Sequence, residues 1–146
     1  MTRDGTAADI PAIVDMAREF WKHTMYTEEF DGEHVAFMTG LALDHGLLAV
    51  LEIDGRLEGF TAGISGPLLG NASTKTATEI AWWVNPDARK GRHSLDLLRH
   101  IERQAKAVGV KYWTMVSMQS SAPDVAERIY LRHGYKHSET SFTRIL

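Results

Sequence analysis

The chain of 146 residues contains no cysteine and only four prolines. The first absence excludes a disulfide framework and any thiol nucleophile on the protein, and it fits a reducing compartment. No apolar run approaches the ~20 residues that a membrane-spanning helix needs. The N-terminus, "MTRDGTAADIPAIVDMAREFW", breaks its apolar pattern with acids where a signal peptide would be continuous. An excess of one charge is also missing: 16 basic residues against 19 acidic ones leave a formal net charge of -3. That balance gives no general pull toward nucleic acid or an anionic membrane, so any basic site must be local. A soluble cytoplasmic protein that binds neither is the expectation.

What is present is an ordinary globular balance, 44% hydrophobic and 24% charged, in a length that suits one domain over residues 1–146 around one core. Thr6 followed by Asp9, with Pro11 just after, predicts a helix start, and Ile10, Ile13, Val14, Ala17, Phe20 and Trp21 then recur at helical spacing. A second helix is predicted over Gly32–Asp44, stopped by Gly46. Leu47–Ile53 and Leu57–Ser65 flank Asp54-Gly55 and should pair as a hairpin. "GPLLGNASTK" reads as a connection and Thr76–Val84 as a strand ended by Asn85-Pro86. A long helix from Ser94 to Gly109 and a buried strand in "KYWTMVSM" complete a βαβ crossover. A last helix from Pro123 to Gly134 precedes "YKHSETSFTRIL", which is expected to form one or two closing strands. The fold class is α/β: a mixed, mostly antiparallel sheet with helices on both faces.

Between strand and long helix lies "NPDARKGRHSLDLL", with Arg89, Lys90 and Arg92 around Gly91. A loop of this kind opening onto a helix N-terminus suits a phosphate, through unpaired N–H groups and the helix dipole. The same charges also fit a solvated turn. The longer stretch "WWVNPDARKGRHSLDLLRHIERQAKAVGVKYW" resembles the acyl-CoA-binding motif of the GCN5-related N-acetyltransferases, the GNAT superfamily. Val84, Pro86, Arg89, Gly109 and Val110 fall where that family has its Val-x-Pro, its Arg or Gln, and its Gly-Val. The resemblance covers nearly the whole chain in the order of its elements. It implies the GNAT acyl-CoA N-acyltransferase fold. It also implies that the backbone of Trp83 and Val84 binds the pantetheine arm of acetyl-CoA, and that Arg89, Lys90, Gly91, Arg92, His93 and Ser94 surround its pyrophosphate.

Arg92 and Ser94 depart from the family, which has small residues there. A non-glycine in a left-handed conformation costs about 1–2 kcal/mol. Either the loop keeps its shape with Arg92 strained, or Gly91 moves the flexible point and the loop is remodelled. Glu79, inside an apolar strand, must be solvated, paired or functional; it resembles the glutamate that histone acetyltransferases of the superfamily use as general base. "APDVAERIYLRHGYKHS" resembles the family's final helix through Ala126, Tyr130, Gly134 and Tyr135, which implies Tyr130 as the acid that protonates the departing thiolate; a core tyrosine is the plainer reading.

His93, Asp96 and His100 share a helix at i, i+3 and i+7 but form no compact ligand set, so no metal is expected. Trp82, Trp83 and Trp113 read as core packing or as a wall for substrate. An N-acetyltransferase acting on a primary amine of a small molecule or peptide is the leading expectation, and a homodimer is a family expectation. The alternative is a CoA-binding or protein-interaction module that has kept the fold and lost the chemistry.

Overall fold

The computed structural model describes all 146 residues, which gather into two compact units, Met1–Val116 and Ser117–Leu146. The first unit holds β1 (Thr2–Asp4), α1 (Ile10–Trp21), α2 (Gly32–Asp44), β2 (Leu48–Ile53), β3 (Arg56–Leu68), β4 (Asn71–Val84), α3 (His93–Ala107) and β5 (Tyr112–Thr114). The second holds α4 (Pro123–Arg132). The strands lie in sequence order, β1 to β4 antiparallel and β5 parallel to β4. No helix is long and apolar enough to cross a membrane.

The predicted hairpin turn forms because Asp54 and Gly55 both take positive φ, 50° and 75°. That pair of angles matches the twist of the flanking strands. Along β2 and β3, alternate residues then divide the sheet into two faces. Leu48, Val50, Phe60, Ala62 and Trp83 pack with Ile13, Met16 and Ala17 of α1 and Ala42 of α2. Leu47, Ala49 and Leu51 point the other way, and all are buried. On that face α3, which packs on β2 and β3, buries Leu97, Leu98 and Ile101.

Several expectations are corrected. β1 has no clear sequence signal, yet it pairs with β2 at the sheet edge, Arg3 opposite Val50. "GPLLGNASTK" is largely hairpin: β3 runs on to Leu68 and β4 starts at Asn71, with only Leu69 and Gly70 between them. The strand expected in "KYWTMVSM" is three residues long and only partly covered. Residues 135–146 form no strand, and Phe142, Ile145 and Leu146 are exposed. With Ser138, Glu139, Thr140 and Ser141 before them, those three apolar residues offer no continuous face to bury.

The start of α1 shows how the edge is secured. Thr6 donates both its N–H and its hydroxyl to Asp9 Oδ2 at 2.8 Å. The Arg3 guanidinium grips the same carboxylate at 2.8 and 2.9 Å and reaches Glu52 at 3.0 Å. Hydrogen bonds from Arg3, more than those from Thr6, hold the Asp9 carboxyl down at about 2. Asp9 is nearly covered, and its folded-state value lies below the ordinary one. Its stabilisation is therefore complete above the usual carboxylate range and is lost as pH falls through about 2. Asp9→Asn is expected to cost about 1–2 kcal/mol in urea unfolding at pH 7, with the difference from the parent protein shrinking below pH 4.

Candidate active site

Glu79 owes its position to one extra residue in β4. Ala62 pairs with Ala81 but the next residue, Gly63, pairs with Glu79, so Ile80 is a bulge without a partner. In a regular strand Glu79 and Trp83, four apart, would share a face. The bulge reverses that order. Trp83 joins the core of α1 and α2, whereas Glu79 shares the face of Gly63 and Thr61, opposite to Phe60 and Ala62.

The same place is where β5 leaves β4. Parallel pairing runs from Thr76 with Tyr112 to Thr78 with Thr114 and stops. Val116 N–H then donates to Glu79 Oε2 at 3.1 Å, so a side chain takes the bond that continued pairing would give to backbone. From Glu79 to Val84 no strand pairs with this edge of β4. Hydrogen-bonded pairs alternate along an antiparallel ladder. Asn85 N–H donates to Glu58 O at 2.8 Å, which by alternation turns the backbone groups of Trp83 toward β3 and those of Val84 toward the open edge.

Glu79 is 8% exposed. Burial pushes its carboxyl up to about 7, opposed by the Val116 N–H bond. A carboxylate tuned to neutral pH and set beside an open strand edge suits proton abstraction.

Beyond Val84 the loop is held by side chains. The Trp83 indole N–H donates to Asn85 Oδ1 at 2.9 Å, and Asn85 Nδ2 donates to Glu58 Oε2 at 2.9 Å. Arg89 Nε donates to Val84 O at 2.8 Å, with its guanidinium 4.6 Å from the Trp83 ring centroid. Arg89 is thus occupied at the root of the loop. Asn85 and Glu58 carry no sequence signal that marks them as its supports.

Gly91 takes φ +77°, whereas Arg92 lies at φ -106°. Of the two expected arrangements the loop adopts the second: glycine one position earlier supplies the left-handed residue, and Arg92 carries no backbone strain. Arg92 caps α3, whose first turn contains His93 and Ser94. Asp96 N–H bonds Arg92 O at 2.8 Å. The N–H groups ahead of it belong to the set that a helix cannot satisfy internally. With Lys90 and Arg92 exposed around them, they form the kind of mouth that suits an anion.

Other candidates lie elsewhere. His100 Nε2 meets Asp4 Oδ1 at 2.6 Å and does not converge with His93 and Asp96. Trp113 packs over Gly63 on the face of Glu79. Tyr130 is the buried residue of α4 in the second unit. Its ring centroid is 5.5 Å from that of Tyr135, and its carbonyl accepts from Tyr135 N–H at 3.1 Å as Gly134, at φ +87°, ends the helix.

Several solved structures share this fold at low identity. A predicted acetyltransferase with acetyl-CoA from Clostridium acetobutylicum matches with TM-score 0.77 and 13% identity, over 99% of this chain and 95% of its own. A ribosomal-protein-alanine N-acetyltransferase from Brucella melitensis biovar Abortus 2308 gives 0.75 and 11%, over 100% and 99%. An aminoglycoside acetyltransferase from an uncultured soil metagenomic sample gives 0.75 and 11%, over 100% and 97%. At these identities the likeness is one of fold. No curated protein sequence matches the chain significantly. The sequence pattern of the Acetyltransferase (GNAT) family does match, over residues 10–135. That span takes in the bulged strand, the Gly91 loop and the final helix, and by it the chain belongs to the GNAT acetyltransferase family.

Proposed function

We propose that the protein is an acetyl-CoA-dependent N-acetyltransferase acting on a primary amine of a small molecule or peptide. The observation that carries this reading is the buried Glu79 carboxyl, raised to about 7 at the point where β5 parts from β4. Acetyl-CoA supplies an activated thioester as the acyl donor. The loop fits its pyrophosphate: Gly91 has the required positive φ and open space around it, so the backbone is accessible. Lys90 to Ser94 offer N–H groups and two cations to the phosphates. The pantetheine arm runs along the open edge at Val84; the Trp83 backbone, which the family resemblance implied as a second partner, is turned toward β3, and a backbone N–H near Val84 is the donor assigned to the developing oxyanion.

Glu79 takes a proton from the acceptor ammonium, directly or through water, and the free amine attacks the acyl carbon. The C–N bond forms first and leaves a tetrahedral oxyanion, whose collapse breaks the C–S bond while the nitrogen loses its second proton to solvent. Tyr130 gives its proton to the departing thiolate, a role that rests on the family pattern of the final helix. Arg89 acts in this scheme by holding the loop to Val84 O and Trp83.

Screening a panel of amines with acetyl-CoA, with free thiol as readout, tests the reading; no turnover with any amine overturns it. In the wild type, kcat/KM should rise with pH through about 7. Glu79→Gln should lower kcat by about 10²–10⁴-fold and abolish that rise, and Tyr130→Phe should lower kcat with little change in KM. The folded-state value of Glu79 is raised, so folding favours its protonated form and stability is lost as pH rises through about 7. Glu79→Gln should consequently gain up to about 3 kcal/mol over the parent well above that pH. For the loop, Gly91→Ala should weaken CoA binding about 5–30-fold in calorimetry, the cost of a left-handed alanine. Arg92→Gly should change it only by the loss of one charge.

A further inference from the structure

Gly63 is the cross-strand partner of Glu79, and directly opposed residues project to the same face about 5 Å apart. A Cβ placed on Gly63 would lie 2.6 Å from both Cη2 and Cζ3 of Trp113. The indole of Trp113 therefore occupies the space beside Glu79 that any other residue at 63 would fill. Its own strand partner is Ala77, a second small residue, buried and two places before Glu79. The Trp113 ring crosses from β5 over β4 to β3 in a notch that only small residues leave. Its Nε1–H is buried there with no hydrogen-bond partner, so what it presents to the neighbouring carboxyl is chiefly an apolar surface.

We propose that Trp113 is a positioning residue for Glu79. Its indole, seated on Gly63, is the apolar wall that keeps water from the carboxyl and thereby sets the pH range in which Glu79 accepts a proton. The proposal rests on Glu79 being the base. Neighbouring charges do not supply the effect. On β3 the facing residues Thr61, Gly63 and Ser65 are uncharged, and the His45 ring beside them is engaged by Ser65 through its Nδ1 at 2.9 Å. Lys75, on β4, is held by Val108 O at 3.0 Å. From α3 the buried residues are Leu97, Leu98, Ile101 and Ala105. Only burial and the Val116 N–H act on the carboxyl, and they oppose each other.

The test follows the Glu79 carboxyl by ¹³C NMR titration of glutamate-labelled protein, with Glu79→Gln assigning the signal, and measures the pH profile of kcat/KM in parallel. Trp113→Ser should lower the midpoint by one pH unit or more, on the order of what burial contributes. Trp113→Phe, which keeps an apolar ring and loses the N–H, should stay close to wild type. Gly63→Ala leaves Trp113 in the sequence but displaces its ring, and should lower the midpoint as Trp113→Ser does; it carries the test if the serine variant fails to fold. A wild-type midpoint in folded Trp113→Ser or Gly63→Ala protein overturns the proposal, and so does a fall in Trp113→Phe as large as in the serine variant. The NMR midpoint does not depend on turnover. Full activity in Glu79→Gln would overturn the base assignment and leave the effect of the wall separately measured.

Discussion

One bulged residue, Ile80, sets the geometry on which the candidate site depends. Its insertion gives β4 two faces in one strand: Trp83 anchors the helical core, and Glu79, only four residues earlier, turns to the opposite side. A regular strand would set the glutamate opposite Ile64 on the face that packs against α1 and α2, where burial without a partner is costly for an ionisable group. The bulge removes that conflict. It also coincides with the end of β4–β5 pairing, so the carboxyl sits at the fork of the two strands and ties down Val116.

The interior of β4 and the loop that follows it are built on different physical terms. Glu79 is buried, and the cost of charging its carboxyl there is what raises it into the neutral range. Past Val84 the loop is polar and extensively bonded: Glu58, Asn85 and Arg89 connect Trp83 and the strand end to the turn. Rigid support at its root leaves Lys90 to Ser94 with exposed cations and a helix N-terminus, the combination that favours an anion. The buried carboxyl and the exposed cations thus belong to one strand and the loop that follows it, the first shielded from solvent and the second open to it.

Much of the architecture is legible from short-range pattern. Asp54-Gly55 predicts the hairpin, the apolar period predicts α1 and α3, and Gly32–Asp44 is helical over the range expected. Where pairing decides, pattern is silent or misleading. β1 is three residues that become a strand only because β2 offers an edge, and Gly66 to Lys75 read as loop although Pro67 and Lys75 face each other in a ladder. The run after Tyr135 shows the reverse error, strand propensity with no apolar face to bury.

By itself, the sequence determined the family, the cationic loop around Gly91 as a candidate anion site, and Glu79 and Tyr130 as residues to watch, because spacing along the chain and residue chemistry are local properties. Only the tertiary structure decided that Gly91 and not Arg92 takes the left-handed position, that Arg89 turns back onto Val84 and Trp83, and that Trp113 lies over Gly63, the cross-strand partner of Glu79. Those facts depend on φ angles and on strand register, and a one-residue bulge changes the facing of every side chain on one side of it.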